Sequence, residues 1–138
     1  MKAILPYNVM LLSQGGYPEY LNAGDIVRGY NYNEKKIVEF PVTKVTRLES
    51  TRVIRIDMNR SKSMYFSGLT KVLTQGGPVA CYKASFLLGV CQTNPRQLNV
   101  FTVVGIEETR DEVVTYEIEW DDQNFFLWAE GMLVGSLE

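Results

Sequence analysis

Three groups of side chains invite a chemical reading: two cysteines, Cys81 and Cys91; two hydroxyls three positions apart, Ser67 and Thr70; and acidic residues between Glu117 and Asp122. What they lack is a histidine: the 138-residue chain contains none. Without an imidazole there is no Ser-His-Asp or Cys-His pair, no histidine acid or base, and no zinc site that requires that ligand. Two thiolates cannot build a four-cysteine metal centre. They suffice for one disulfide, but nothing in Met1-Lys2-Ala3-Ile4-Leu5-Pro6 reads as an export signal, so two buried thiols are expected. Glu117, Glu119, Asp121 and Asp122 offer oxygens to a hard cation. The two glutamates alternate along a strand and the aspartates fall at a turn, which is the pattern of a solvated acidic strand. No metal and no other cofactor is expected. Ser67 and Thr70 read as strand-turn residues rather than nucleophiles.

A second group points to binding. Tyr17, Tyr20, Tyr30 and Tyr32 crowd the N-terminal quarter around Arg28. Tyrosine and arginine are enriched at interface anchors, although tyrosines also pack along sheet faces for purely structural reasons. Charge is divided unevenly. Residues 1–75 hold 11 basic and 6 acidic side chains, and residues 76–138 hold 3 and 10. Such asymmetry fits complementary contact between copies or partners, or simply differently solvated faces. A net charge of −2 argues against a general nucleic-acid binder. No apolar run approaches the roughly 20 residues of a membrane-spanning helix. The expected partner is a protein or a second copy, with no nucleic acid, membrane or small-molecule substrate.

The elements that position these residues read as short strands. Val9 to Leu12 is an apolar run ending at Gln14-Gly15-Gly16, and a new strand follows Gly24-Asp25 as far as Tyr30. Asn31-Tyr32-Asn33-Glu34 is a turn, and Lys36 to Phe40 resumes alternation until Pro41. Val53 to Asp57 alternates apolar and charged residues as a half-buried strand does. Met64 to Phe66, Val72-Leu73 and Val79 to Tyr82 are further short strands. Ala84 to Val90 fits either a helical turn or a buried strand, and Asn94 to Gln97 reads as a loop. Asn99 to Ile106 and Glu112 to Trp120 are strands, followed by the turn Asp121 to Asn124. Phe125, Phe126 and Trp128 are expected in the core. The sum is one all-β domain over residues 1–138, built of many short antiparallel strands.

The order of these motifs resembles the Hint family, the fold shared by hedgehog autoprocessing domains and inteins. Three stretches carry the resemblance: Asn8 to Leu12 with Leu21-x-x-Gly24-Asp25-x-Val27; Ser67-Gly68-Leu69-Thr70 with Lys71 to Thr74; and Val114 to Trp120 with Asn124-Phe125-Phe126 and Gly131 to Val134. The resemblance implies a Hint-like coiled β domain and also shows which parts are missing. Active members begin with Cys or Ser, which attacks the preceding carbonyl in an acyl shift. Here Lys2 or Ala3 stands there. The family's Thr-x-x-His histidine, which protonates the leaving amide, is matched by Thr70. Its terminal His-Asn, whose asparagine cyclises, is matched by Gly135-Ser136.

With nucleophile, acid and asparagine all replaced, splicing and autocleavage are not expected. The chain reads as a non-catalytic structural or interaction module on a degenerate Hint frame, in the cytoplasm or in a phage virion. The alternative is a naturally or artificially inactivated mini-intein, with Ala3 as a substituted cysteine and Ser136-Leu137-Glu138 as a cloning remnant. In either case Ala3, Ser67, Thr70, Gly135 and Ser136 mark the former site, and Ala3, Thr70 and the Gly135-Ser136 pair are expected to lie within one small cleft.

Overall fold

A computed structural model describes residues 1–13, 16–59, 63–67, 70–74, 76–91 and 94–135, with side chains for all of these except 50, 86–91 and 94–97. The described residues form eleven strands, in order: β1 (Lys2–Pro6), β2 (Ile26–Asn31), β3 (Lys36–Pro41), β4 (Lys44–Met58), β5 (Met64–Ser67), β6 (Lys71–Thr74), β7 (Gly77–Ala80), β8 (Phe86–Cys91), β9 (Asn94–Glu119), β10 (Phe125–Ala129) and β11 (Met132–Val134). Among the described residues the only helical segments are 3-10 turns at Pro18–Tyr20 and Cys81–Lys83. The all-β, antiparallel reading of the sequence is what the chain adopts.

The strands connect in the order β3-β2-β10-β11-β8-β9-β4-β5, with β1 paired to β9, and β6 and β7 joined through β11. The 26-residue β9 ties the molecule together. Its first part pairs with β8, its middle and end pair with β4, and its last residues also take β1 on the opposite edge. Two sequence readings are corrected here. Asn94 to Gln97 is the start of β9 and not a loop. Val9 to Leu12 forms only an isolated bridge, Leu11 to Ala129, while the true first strand is Lys2–Pro6. Pro6 hid that strand in the sequence; it lacks an N–H, and in β1 it falls where no ladder donor is needed.

Two hydrophobic cores lie on opposite faces of β2 and β10, because successive strand residues point to opposite sides. Val27, Phe40, Leu127 and Ala129 join the larger core with Leu5, Phe66 and Trp120. Tyr30, Phe126 and Trp128 form a smaller one with Leu73 and Leu133. Phe126 and Trp128 are buried as the sequence implies, and Phe125 packs half-buried against the larger core. Gly29 lets β2 and β10 approach closely, since a Cβ there would lie 2.0 Å from the Phe126 carbonyl oxygen. The β10–β11 hairpin closes through Glu130 and Gly131, both at positive φ (47° and 94°), the type I′ geometry that matches strand twist. That tight turn returns β11 to the interior and delivers Gly135 beside the chain's first residues.

Candidate functional site

The alternation of hydrogen bonding along β1 sets the geometry. Trp120 and Met1 exchange bonds in both directions at 2.9 Å, and Tyr7 N–H donates to Val114 at 3.1 Å. Odd-numbered β1 residues therefore pair with β9, and the N–H and C=O of Ile4 face away from it. That outward edge would be unpaired in a buried place, as Ile4 is only 7% exposed. Thr70 closes it. Its Oγ1 accepts from Ile4 N–H at 3.2 Å and donates to the Ile4 carbonyl at 2.8 Å. One hydroxyl thus does for Ile4 what a neighbouring strand would do.

The other positions gather around this contact. Ala3 precedes Ile4 and is buried. Thr70 N–H donates to the Ser67 carbonyl at 2.9 Å, and Gly135 N–H donates to the Lys71 carbonyl at 2.9 Å. A Cβ on Gly135 would meet Met1 Cε at 3.1 Å and Trp120 Cζ2 at 3.2 Å. The structure thus brings Ala3, Ser67, Thr70 and Gly135 into one neighbourhood; Ser136 lies outside the described residues. All four are buried, so the place is packed rather than an open cleft. Cys81 completes it, with its N–H donating to the Thr70 carbonyl at 3.1 Å and its Sγ–H to the Ser67 carbonyl at 3.4 Å. Cys81 is a free, buried thiol whose pKa burial pushes up to about 11. The Cys91 side chain is outside the described set.

Chemically, this neighbourhood offers a protonated thiol, a methyl group and two hydroxyls, Ser67 and Thr70, the latter with its proton and one lone pair engaged by Ile4. No group of three or more Cys, Asp or Glu that could hold a metal occurs among the described residues. None of their helices is long and apolar enough to cross a membrane. Glu117 and Glu119 lie half-buried on β9, and Glu119 stands opposite Lys2 on β1 and Lys44 on β4.

The proposed tyrosine surface divides. Tyr17, Tyr20 and Tyr32 are exposed, at 40, 60 and 40%. Tyr30 is not an exposed anchor: it is buried in the smaller core, at 6% exposure, and that burial raises its pKa. The sequence misled here because β2 has a second core behind it, so Arg28 and Tyr30 share a strand face but not an environment. Arg28 pairs with Glu39 across β2–β3 at 3.2 Å and lines a recess with Met10, Leu12 and Ile26. Tyr32 lies at another opening, edge-on to Phe126 at 6.0 Å between ring centres.

Solved structures of similar shape place this architecture. The chain superposes on a DnaB intein from Synechocystis sp. PCC 6803 with a TM-score of 0.81, at 12% identity, over 100% of both chains. The gp41-1 intein gives 0.72 at 19% identity over 99% of both chains. A bacterial intein-like domain from Clostridium thermocellum gives 0.70 at 20% identity over 97% of both. No protein-family model matches the sequence, and no curated protein does. The chain has the Hint fold of inteins. At these identities the likeness concerns the backbone, and the chemistry rests on the residues described above.

Proposed function

We propose that this Hint-fold domain does not process itself and serves as a protein-interaction module. The observation that supports this most directly is Thr70: at the place of the family's motif histidine stands a buried hydroxyl bonded to both backbone groups of Ile4. A group so engaged, with a pKa far above neutrality, neither delivers nor recovers a proton at a leaving amide. Ala3 brings no nucleophile, and a side chain at Gly135 would run into Met1 and Trp120. Fold and function separate readily, and the frame remains a rigid support for surface contacts. Tyr17, Tyr20 and Tyr32 supply exposed aromatic area for a protein partner.

The test is intact mass spectrometry after expression with flanking residues on both ends, followed by incubation with a thiol or hydroxylamine. The expected mass is that of the full translation, unchanged by either reagent. A thioester-dependent fragment would overturn the proposal and return the chain to the self-processing inteins.

A further inference from the structure

β4 and β9 lose register in the middle of their ladder. Arg52 pairs with Glu112 and Ile54 with Glu108, so Val53 alone faces the three residues Thr109, Arg110 and Asp111. The extra length bows out of β9, and Thr109 Oγ1 secures its base by donating to the Val53 carbonyl at 2.8 Å. Such bulges re-aim side chains that a regular pleat would direct elsewhere. This one sets Asp111 at the rim of a recess of about 220 Å³ whose walls include Tyr7, Asn8 and Tyr65. Both tyrosines are open to solvent, at 45 and 42%.

Among the described residues Asp111 makes no ion pair, whereas Asp57, Glu107 and Glu108 on the same pair of strands each face an arginine at 2.6 to 3.6 Å. Two aromatic rings and an unpaired carboxylate around one recess are the components that bind organic cations, the rings through their π faces and the carboxylate through charge. The size is informative too. It lies below the roughly 300–1,000 Å³ of pockets that enclose whole small molecules, and suits the head of one side chain. We propose that the Tyr7–Tyr65–Asp111 recess is a binding site for a guanidinium or alkylammonium group. The source is an arginine or lysine side chain of a partner or a small free cation, and the assignment holds whether or not the domain processes itself.

The experiment is a titration of the ¹⁵N-labelled full chain with methylguanidinium chloride, against a matched sodium chloride series, followed by amide shifts. A parallel titration uses the peptide acetyl-Gly-Arg-Gly-amide. Saturable shifts are expected at Tyr7, Tyr65, Thr109 and Asp111, weakened about three- to ten-fold by Asp111→Asn and by Tyr65→Leu. Glu19→Gln, a remote exposed change, should leave the titration unaltered. Tighter binding of the peptide than of methylguanidinium assigns the site to a partner side chain, and the reverse assigns it to a free cation. Shifts that match sodium chloride, or that survive Asp111→Asn undiminished, overturn the proposal.

Discussion

Replacing Thr70 by valine keeps the shape of the side chain and removes only its hydroxyl. In the parent that oxygen satisfies Ile4 N–H at 3.2 Å and the Ile4 carbonyl at 2.8 Å, in a place where Thr70 itself is 1% exposed. The valine variant leaves one donor and one acceptor buried without partners. Each such group costs about 1–3 kcal/mol, so the variant should lose about 2–6 kcal/mol. Thr70→Ser keeps the hydroxyl and loses one methyl, about 1 kcal/mol. Set against the roughly 5–15 kcal/mol stability of ordinary domains, the first change is severe and the second mild. Urea denaturation followed by tryptophan fluorescence reads the difference, because Trp120 and Trp128 are both buried (2 and 4%). In thermal melts the valine variant should fall by roughly 6–24 °C. Amide exchange adds a local readout: the Ile4 N–H should be slow in the parent and in Thr70→Ser, and fast in Thr70→Val. A valine variant within about 1 kcal/mol of the parent, or no worse than serine, would refute the bridging role.

Gly135→Ala tests the packing around β11. With Met1 Cε at 3.1 Å and Trp120 Cζ2 at 3.2 Å from the added methyl, an overpacking loss of about 1–3 kcal/mol is expected in denaturant melts, and an unchanged midpoint would contradict it. Cys81 should resist iodoacetamide in the native state at pH 8 and react on unfolding, measured by mass in a Cys91→Ser background. Its thiol pKa is raised from 9.0 to about 11, so its contribution is complete below pH 9 and lost as pH rises to 11, about 3 kcal/mol in all. Burial raises the Tyr30 pKa as well, so the readout is the difference in slope of stability against pH between the parent and Cys81→Ala, and equal slopes would count against it.

The sequence carried the strand pattern well where one face is buried and the other wet. Val114, Tyr116 and Ile118 alternate on β9 with Trp120 next in line just past its end, and Ile118 and Trp120 are core residues. Pairing rather than pattern was harder to read. β9 continues through Thr109 to Asp111 because the bulge absorbs the break in alternation, so two readable strands became one. Tyr30 could not be placed from sequence because its burial depends on Phe126, Trp128 and Leu133, which are about a hundred residues away in the chain. Thr70 stood out in the sequence only through the resemblance of Ser67-Gly68-Leu69-Thr70 to a family motif. Its bond to Ile4 was not legible, since nothing local indicates that β1 would leave an edge facing it. Asp111 carried no signal at all until the register of β4 against β9 was known.

The uneven charge of the two chain halves has a cause in the topology. β1 and β4 come from the basic half and β9 from the acidic half, and all three lie side by side. Arg55 meets Glu107 at 2.6 Å and Arg52 meets Glu108 at 3.6 Å, while Lys2 and Lys44 stand on either side of Glu119. Opposite charges directly across strands support the pairing, and like charges there would oppose it. A charge imbalance along the sequence therefore becomes near-balance across a sheet, which removes much of its force as a sign of contact between copies. Each exposed pair contributes at most about 1 kcal/mol, so their greater effect is on register: sliding β4 by one residue would turn these arginines to the other face. Asp111 stands apart from this pattern. It belongs to the acidic half, projects from the bulge, and lacks the basic neighbour that pairing gives Glu107 and Glu108. That carboxylate lies beside two open tyrosines, so an external cation there gains from the charge and from the π faces together.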